Sequence, residues 1–291
     1  MITYPWINVT VLLIVTAIYA LLDVFNRRNV PNYVAYITLL IGVAMALLSG
    51  TNYILNFGIA ILIGILGYVL YRAGLLGGGD VFEFVFIALV MPMWPQPFAY
   101  GMQLHTQFFI PFIISVLIAA GYFSLLFIPV YYLGKKGHLR AIKRTRPRDR
   151  KSMKMGAVIL CGYIIFTVAL YYMLGVTPLG LGLIAVLAIT SFITIVYQHS
   201  VYLEMVEFVY PEQLEEGDMI AINLITRKNI MLLKDKSGFG RLATSKMIKN
   251  LRGVKVKVPV YKDSVPFSAF VFIGVVITLI FGNLILVMVG I

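Results

Sequence analysis

The sequence predicts a polytopic α-helical membrane protein of about eight transmembrane helices, with a small β-rich cytoplasmic domain before the last helix. Three observations carry that expectation. The chain is 60% hydrophobic and only 12% charged, with a mean hydropathy of +0.93, whereas charged residues make up about a quarter of an ordinary globular chain. Its apolar residues are gathered into stretches near the roughly 20 residues that cross a bilayer. Its basic residues lie between those stretches, as membrane orientation requires.

The apolar stretches run over 7–25, 33–49, 53–72, 81–97, 108–133, 156–175, 178–198 and 266–290. The fourth ends in Met91-Pro92-Met93-Trp94-Pro95-Gln96-Pro97. Proline removes a helical donor and clashes with the preceding turn, so this predicts a short helix that breaks at its far end. Trp6 and Trp94 fit an aromatic belt. The first stretch lacks a basic n-region and an obvious small-residue cleavage site, and reads as a retained helix. The resulting organisation is an N-terminal membrane portion over 1–133, a basic cytoplasmic loop over 134–155 and an additional helix pair over 156–198. A small cytoplasmic domain over 199–263 and a last transmembrane helix over 264–291 complete it.

Helices that alternate in direction put all 24 basic residues on one side. Arg27, Arg28 and Arg72 follow helices arriving there, and the rest lie in 135–154 and 227–262. By the positive-inside rule this side is cytoplasmic and both termini are outside, in a multi-pass cell-membrane protein. The net charge of +12 is thereby explained without nucleic acid, for which no recognition motif is present. The basic loop is assigned to anionic lipid headgroups.

In 199–263, residues 219–226 and 230–234 read as short strands and 243–251 as a short helix. Val254, Val256, Val258 and Val260 alternate with Lys255, Lys257 and Pro259, the period of a strand. Glu216-Gly217-Asp218 reads as a turn.

Ionisable residues at membrane depth are costly and therefore functional suspects. Asp23 ends the first apolar helix and Asp80 begins the fourth, so the topology puts both at the cytoplasmic face. Two carboxylates at one depth can share a proton and activate water. Gly77, Gly78 and Gly79 precede Asp80, giving the backbone access to dihedrals closed to other residues and room for a substrate strand. The bland alternatives are Asp80 as a helix N-cap and Asp23 paired with Arg27 one turn later. Glu83, one turn after Asp80, either binds a basic substrate residue, tunes the pair or points to the headgroups. Cys161 is the lone cysteine, and His105, His138 and His199 are scattered, so no metal site is expected.

These residues resemble the archaeal preflagellin peptidases and the wider type IV prepilin peptidase family, membrane aspartyl proteases with a Gly-x-Gly-Asp motif. Gly77-Gly78-Gly79-Asp80-Val81 matches that motif. Asp23, its following basic residues and Val30-Pro31-Asn32 resemble the family's first aspartate and hydrophobic-Pro-Asn segment. Val265-Pro266-Phe267 after a small domain resembles the archaeal branch. The chain departs from the family at Phe82, where a lysine is common, and in its extra helix pair. It also lacks the four-cysteine motif of the bifunctional bacterial enzymes. The resemblance implies an aspartic-type endopeptidase with Asp23 and Asp80 catalytic and no metal or organic cofactor. It further implies that the substrates are archaellin or type IV pilin-like precursors, whose short basic leader is cut at the cytoplasmic face.

Two other readings compete. A presenilin-like intramembrane protease also uses Gly-x-Gly-Asp, but Leu22 stands where that family has tyrosine and no Pro-Ala-Leu motif follows. A proton-coupled transporter would relay protons through the two acids, and the chain halves show no convincing repeat.

Overall fold

The computed structural model describes residues 5–26, 30–48, 53–93, 111–134, 150–225, 233, 240–251, 253–254, 256–262 and 265–284. The expected basic loop is largely outside these residues, as are Arg27 and Arg28, Trp94, and most of 226–239.

Helices form where the apolar stretches predict them. They are α1 (Pro5–Phe25), α2 (Asn32–Leu48), α3 (Tyr53–Arg72), α4 (Gly78–Val90), α5 (Phe112–Gly134), α6 (Arg150–Leu174) and α7 (Pro178–Val196). After a further short helix and a small mixed unit comes α10 (Phe267–Phe281). Among the described residues, 5 helices are long and apolar enough to cross a membrane (α1, α3, α5, α6 and α7), while α2 and α10 are shorter apolar helices. The protein is a helical membrane protein. Its peripheral helix α6 exposes Val158, Ile164, Ile165, Phe166 and Met173, an apolar surface suited to lipid.

The fourth helix is the exception that organises the rest. At 13 residues and about 1.5 Å per residue it covers roughly 20 Å, short of a hydrocarbon core of about 30 Å. It ends at Val90, just before Met91-Pro92, and not near 97. It is also the most enclosed, with Phe84, Phe86, Ile87, Ala88, Leu89 and Val90 all buried. Gly42 of α2 meets Leu89 and Phe86, and Gly67 of α3 meets Val81, so small residues let both helices close on it.

Ending a helix inside an apolar core exposes carbonyls that lipid cannot satisfy. Asn56 of α3 donates to the Leu89 carbonyl at 2.8 Å, and Asn8 of α1 donates to that of Val90 at 3.2 Å. Asn56→Leu is therefore expected to lower stability by about 1–3 kcal/mol, the cost of a buried polar group losing its partner. Denaturant unfolding of the purified protein measures it.

Helix α10 packs along α5 with backbone against backbone. A Cβ built on Gly274 would lie 2.6 Å from the Val116 carbonyl oxygen and 3.0 Å from the Ala120 nitrogen. The pair α6–α7 forms a hairpin attached through α7 to α5, around Ala119, Tyr122 and Ile184. Thr177 caps α7 by accepting from the Gly180 N–H at 3.0 Å, ahead of Pro178.

The small unit before α10, expected to be β-rich, is mixed among the described residues. It begins with α8 (Gln198–Met205), whose Val201 and Met205 pack on Tyr132 of α5. Strands β1 (Val206–Val209) and β2 (Val258–Tyr261) pair antiparallel, Glu207 opposite Val260. The expected strand over 219–226 is two isolated bridges, Met219 to Leu242 and Ile220 to Val260, followed by a 3-10 turn, Ile222–Leu224. Among the described residues the valine alternation yields strand over β2 alone; the expected strand over 230–234 lies almost wholly outside the described residues. Helix α9 (Ser245–Leu251) forms close to expectation and buries Met247 and Leu251 against Val209, Val258 and Val260. The Glu216-Gly217-Asp218 turn is present. Gly217 has φ +95, in the left-handed region that favours glycine, and the Glu215 N–H donates to Asp218 Oδ2 at 2.9 Å. Partial burial pushes the Asp218 carboxyl above the ordinary carboxylate range.

Candidate active site

Asp23 lies in the last turn of α1, 7% exposed. A carboxylate there faces the negative end of its own helix, an unfavourable position. Compensation comes from a different helix. The backbone N–H of Ser268, in the first turn of α10, donates to Asp23 Oδ2 at 3.0 Å. The positive end of α10 thus meets the acid at the end of α1.

Asp80 is the third residue of α4, and Gly77 is the N-cap. The bland alternative, Asp80 as the N-cap itself, is not what forms: Asp80 reaches back one turn, and the Gly77 N–H donates to Asp80 Oδ2 at 3.0 Å. Its other oxygen, Oδ1, accepts from the Ser268 hydroxyl at 3.3 Å. One residue of α10 therefore touches both aspartates, joining positions far apart in the chain. The suggested pairing of Asp23 with Arg27 lies outside the described residues.

Of the two expected roles of the three glycines, unusual backbone dihedrals are not used. None is among the residues with positive φ, and Gly78 and Gly79 are already helical. Their small size matters instead. A Cβ on Gly79 would sit 3.0 Å from the Cβ and a Cγ of Val30, and one on Gly77 would sit 3.0 Å from Asp80 Oδ2. The close approach is thus made by Val30, at the head of Val30-Pro31-Asn32, so the two sequence segments pack on each other. Gly79→Ala is expected to cost about 1–3 kcal/mol through overpacking. Combining it with Val30→Ala should recover most of that loss in the same unfolding measurement.

Glu83 is fully buried and does not point to the headgroups. The Ser268 hydroxyl lies near it, yet neither carboxyl oxygen has a well-formed hydrogen bond among the described residues. Burying a carboxyl with so little hydrogen bonding is costly, so this residue is out of keeping with a merely structural α4. Tyr19, one turn before Asp23 and also fully buried, is held by a 2.8 Å hydrogen bond between its hydroxyl and that of Thr38. Phe82, where the resembled family often has lysine, sets its ring edge-on to Tyr36 at 5.8 Å. Phe267 packs edge-on to Phe84 at 6.1 Å and closes the apolar side of the cluster.

The turn that leads into α4 also touches the small unit. Gly74 has φ +66, and a Cβ there would lie 2.9 Å from the Cβ of Arg241. Among the described residues no group of His, Cys, Asp and Glu is arranged to hold a metal ion.

Sequence reasoning missed Ser268. A lone serine in an apolar run carries no spacing signal, and the one available clue was its place directly after Val265-Pro266-Phe267 at a helix start. Asn8 and Asn56 were missed for a similar reason, since nothing local marks an amide that caps a distant helix.

Fold and site together define a helical membrane protein in which the ends of three helices gather two aspartates around one serine. No family model, curated protein or solved structure matches the chain.

Proposed function

We propose that the chain is a membrane aspartyl endopeptidase that removes the short basic leader from preflagellin- or prepilin-like precursors at the cytoplasmic membrane face. The observation that carries this reading is the convergence of Asp23 and Asp80 on Ser268. Paired carboxylates suit peptide hydrolysis by general acid and base catalysis. One aspartate takes a proton from water as its oxygen adds to the scissile carbonyl carbon, and the other protonates the carbonyl oxygen. As the carbon–nitrogen bond breaks, the first aspartate gives the proton it took from water to the departing amine and the second takes back a proton from a hydroxyl of the tetrahedral carbon, so a carboxylic acid and an amine are released and the pair returns to its starting state. Which aspartate begins as base is a property of the pair.

The segregation of basic residues supports a cytoplasmic site and an even number of spans near eight. The small-residue contact between Gly79 and Val30 supports the resemblance, because it joins the two segments on which that resemblance rests. Membranes containing the protein, incubated with a preflagellin-like precursor, should release the leader. No cleavage of archaellin-like or pilin-like precursors would overturn the proposal, and cleavage within the transmembrane helix of a substrate would favour a presenilin-like activity.

The burial of Glu83 beside the pair favours a second reading, a proton-coupled transporter whose acids relay protons. Proton flux in liposomes that depends on Asp23 and Asp80, without cleavage, would establish it in place of the peptidase.

A further inference from the structure

We infer that Ser268 is a positioning residue for the aspartate pair, setting the orientation of both carboxyl groups from the first turn of α10. This rests on the peptidase reading for its kinetic consequences, though the contacts themselves do not. Ser268 is fully buried, so its hydroxyl is not occupied by bulk water. Its N–H and its hydroxyl serve different aspartates, at 3.0 Å and 3.3 Å.

The two contacts have unequal vulnerability. The N–H contact to Asp23 belongs to the backbone and survives any side-chain change except proline. The hydroxyl contact to Asp80 is lost with the side chain. With the Gly77 N–H on Oδ2 and Ser268 on Oδ1, Asp80 is held from both sides. Removing one hold leaves the carboxyl free to rotate about its side-chain bonds. Catalysis by positioned groups is sensitive to such misplacement.

Alanine at 268 keeps α10 helical, because alanine is the best helix former and the lost atom is small. Ser268→Ala should therefore fold, bind precursor normally and turn it over slowly. In full-length protein with a preflagellin-like precursor, kcat should fall about tenfold, the equivalent of one charge-assisted hydrogen bond. KM should stay within about twofold, since the change affects the reacting pair and not uniform binding. Ser268→Thr, which retains the hydroxyl, should recover most of the rate. Ser268→Cys, close in size but a weaker donor, should fall between Ser and Ala.

Activity that follows donor strength in this order supports the inference. It is overturned by a kcat for Ser268→Ala within about twofold of the parent, by an effect confined to KM, or by rates that follow side-chain volume. A second measurement needs no substrate. Infrared spectra of protein carrying ¹³C-labelled aspartate should show a carboxyl band that disappears in Asp80→Asn and moves in Ser268→Ala. An unmoved band overturns the inference independently. If the parent cleaves no precursor, the peptidase reading fails and the infrared result alone decides the role of Ser268.

Discussion

Asp23→Asn and Asp80→Asn are each expected to abolish precursor cleavage, with a fall in kcat of about 1,000-fold or more. Asparagine preserves shape and still accepts a hydrogen bond at its amide oxygen, so the Ser268 contacts have a partner in either variant. What asparagine cannot do is take up or release the proton on which water attack depends, and general acid–base groups contribute about 100- to 10,000-fold. Because the two acids act as a unit, the double variant should be scarcely slower than either single one. The check is a time course of leader release at matched membrane protein levels. Substantial activity in either single variant would sink the paired-acid mechanism, whatever the substrate.

The second large effect is structural. Gly274→Val should prevent normal packing of α10 on α5. A Cβ at 274 would collide with the Val116 carbonyl oxygen at 2.6 Å and crowd the Ala120 nitrogen at 3.0 Å. Both are backbone atoms, so no rotamer change relieves the contact, and the helices must separate. Core overpacking that side chains can absorb costs about 1–3 kcal/mol, occasionally more, and this contact should be at the upper end or beyond. Protein level and denaturant unfolding measure the loss. Any protein that folds should also be slow, because moving α10 carries Ser268 away from Asp23 and Asp80. Gly274→Ala should show a smaller version of both effects. Wild-type stability and turnover in Gly274→Val would contradict the close packing of these helices.

Tyr132, Val201 and Met205 show how unevenly sequence reports structure. The helix to which Tyr132 belongs is legible, because a run of apolar residues in a chain with few charges has almost no other stable form. That α8 would leave α7 and turn its Val201 and Met205 onto α5 is not legible, since both residues suit many apolar partners. The small unit shows the opposite failure. Residues 219–226 have strand composition, yet a strand needs a continuous partner, and Met219 and Ile220 bridge to different segments. Strand propensity is largely a report of such context.

The site was legible in part for the same reason. Asp23 and Asp80 stood out because charge is rare in an apolar chain, and that rarity follows from desolvation cost alone. The glycines stood out as well, but the dihedral freedom expected of them is not used. Spacing cannot distinguish a glycine needed for its dihedrals from one needed for its size, and only the position of Val30 made that distinction. Ser268 carried no such mark.

By itself, then, the sequence determined the helical membrane class, the order of most helices and the two acids worth attention. Each of these follows from how single segments partition between water and lipid. Only the tertiary structure decided that α4 is a short buried helix ended by Asn8 and Asn56, that Glu83 is enclosed, and that Ser268 draws Asp23 and Asp80 together. Those outcomes depend on directional contacts between distant segments, and hydrogen bonds between residues far apart in the chain leave no periodic trace in its sequence.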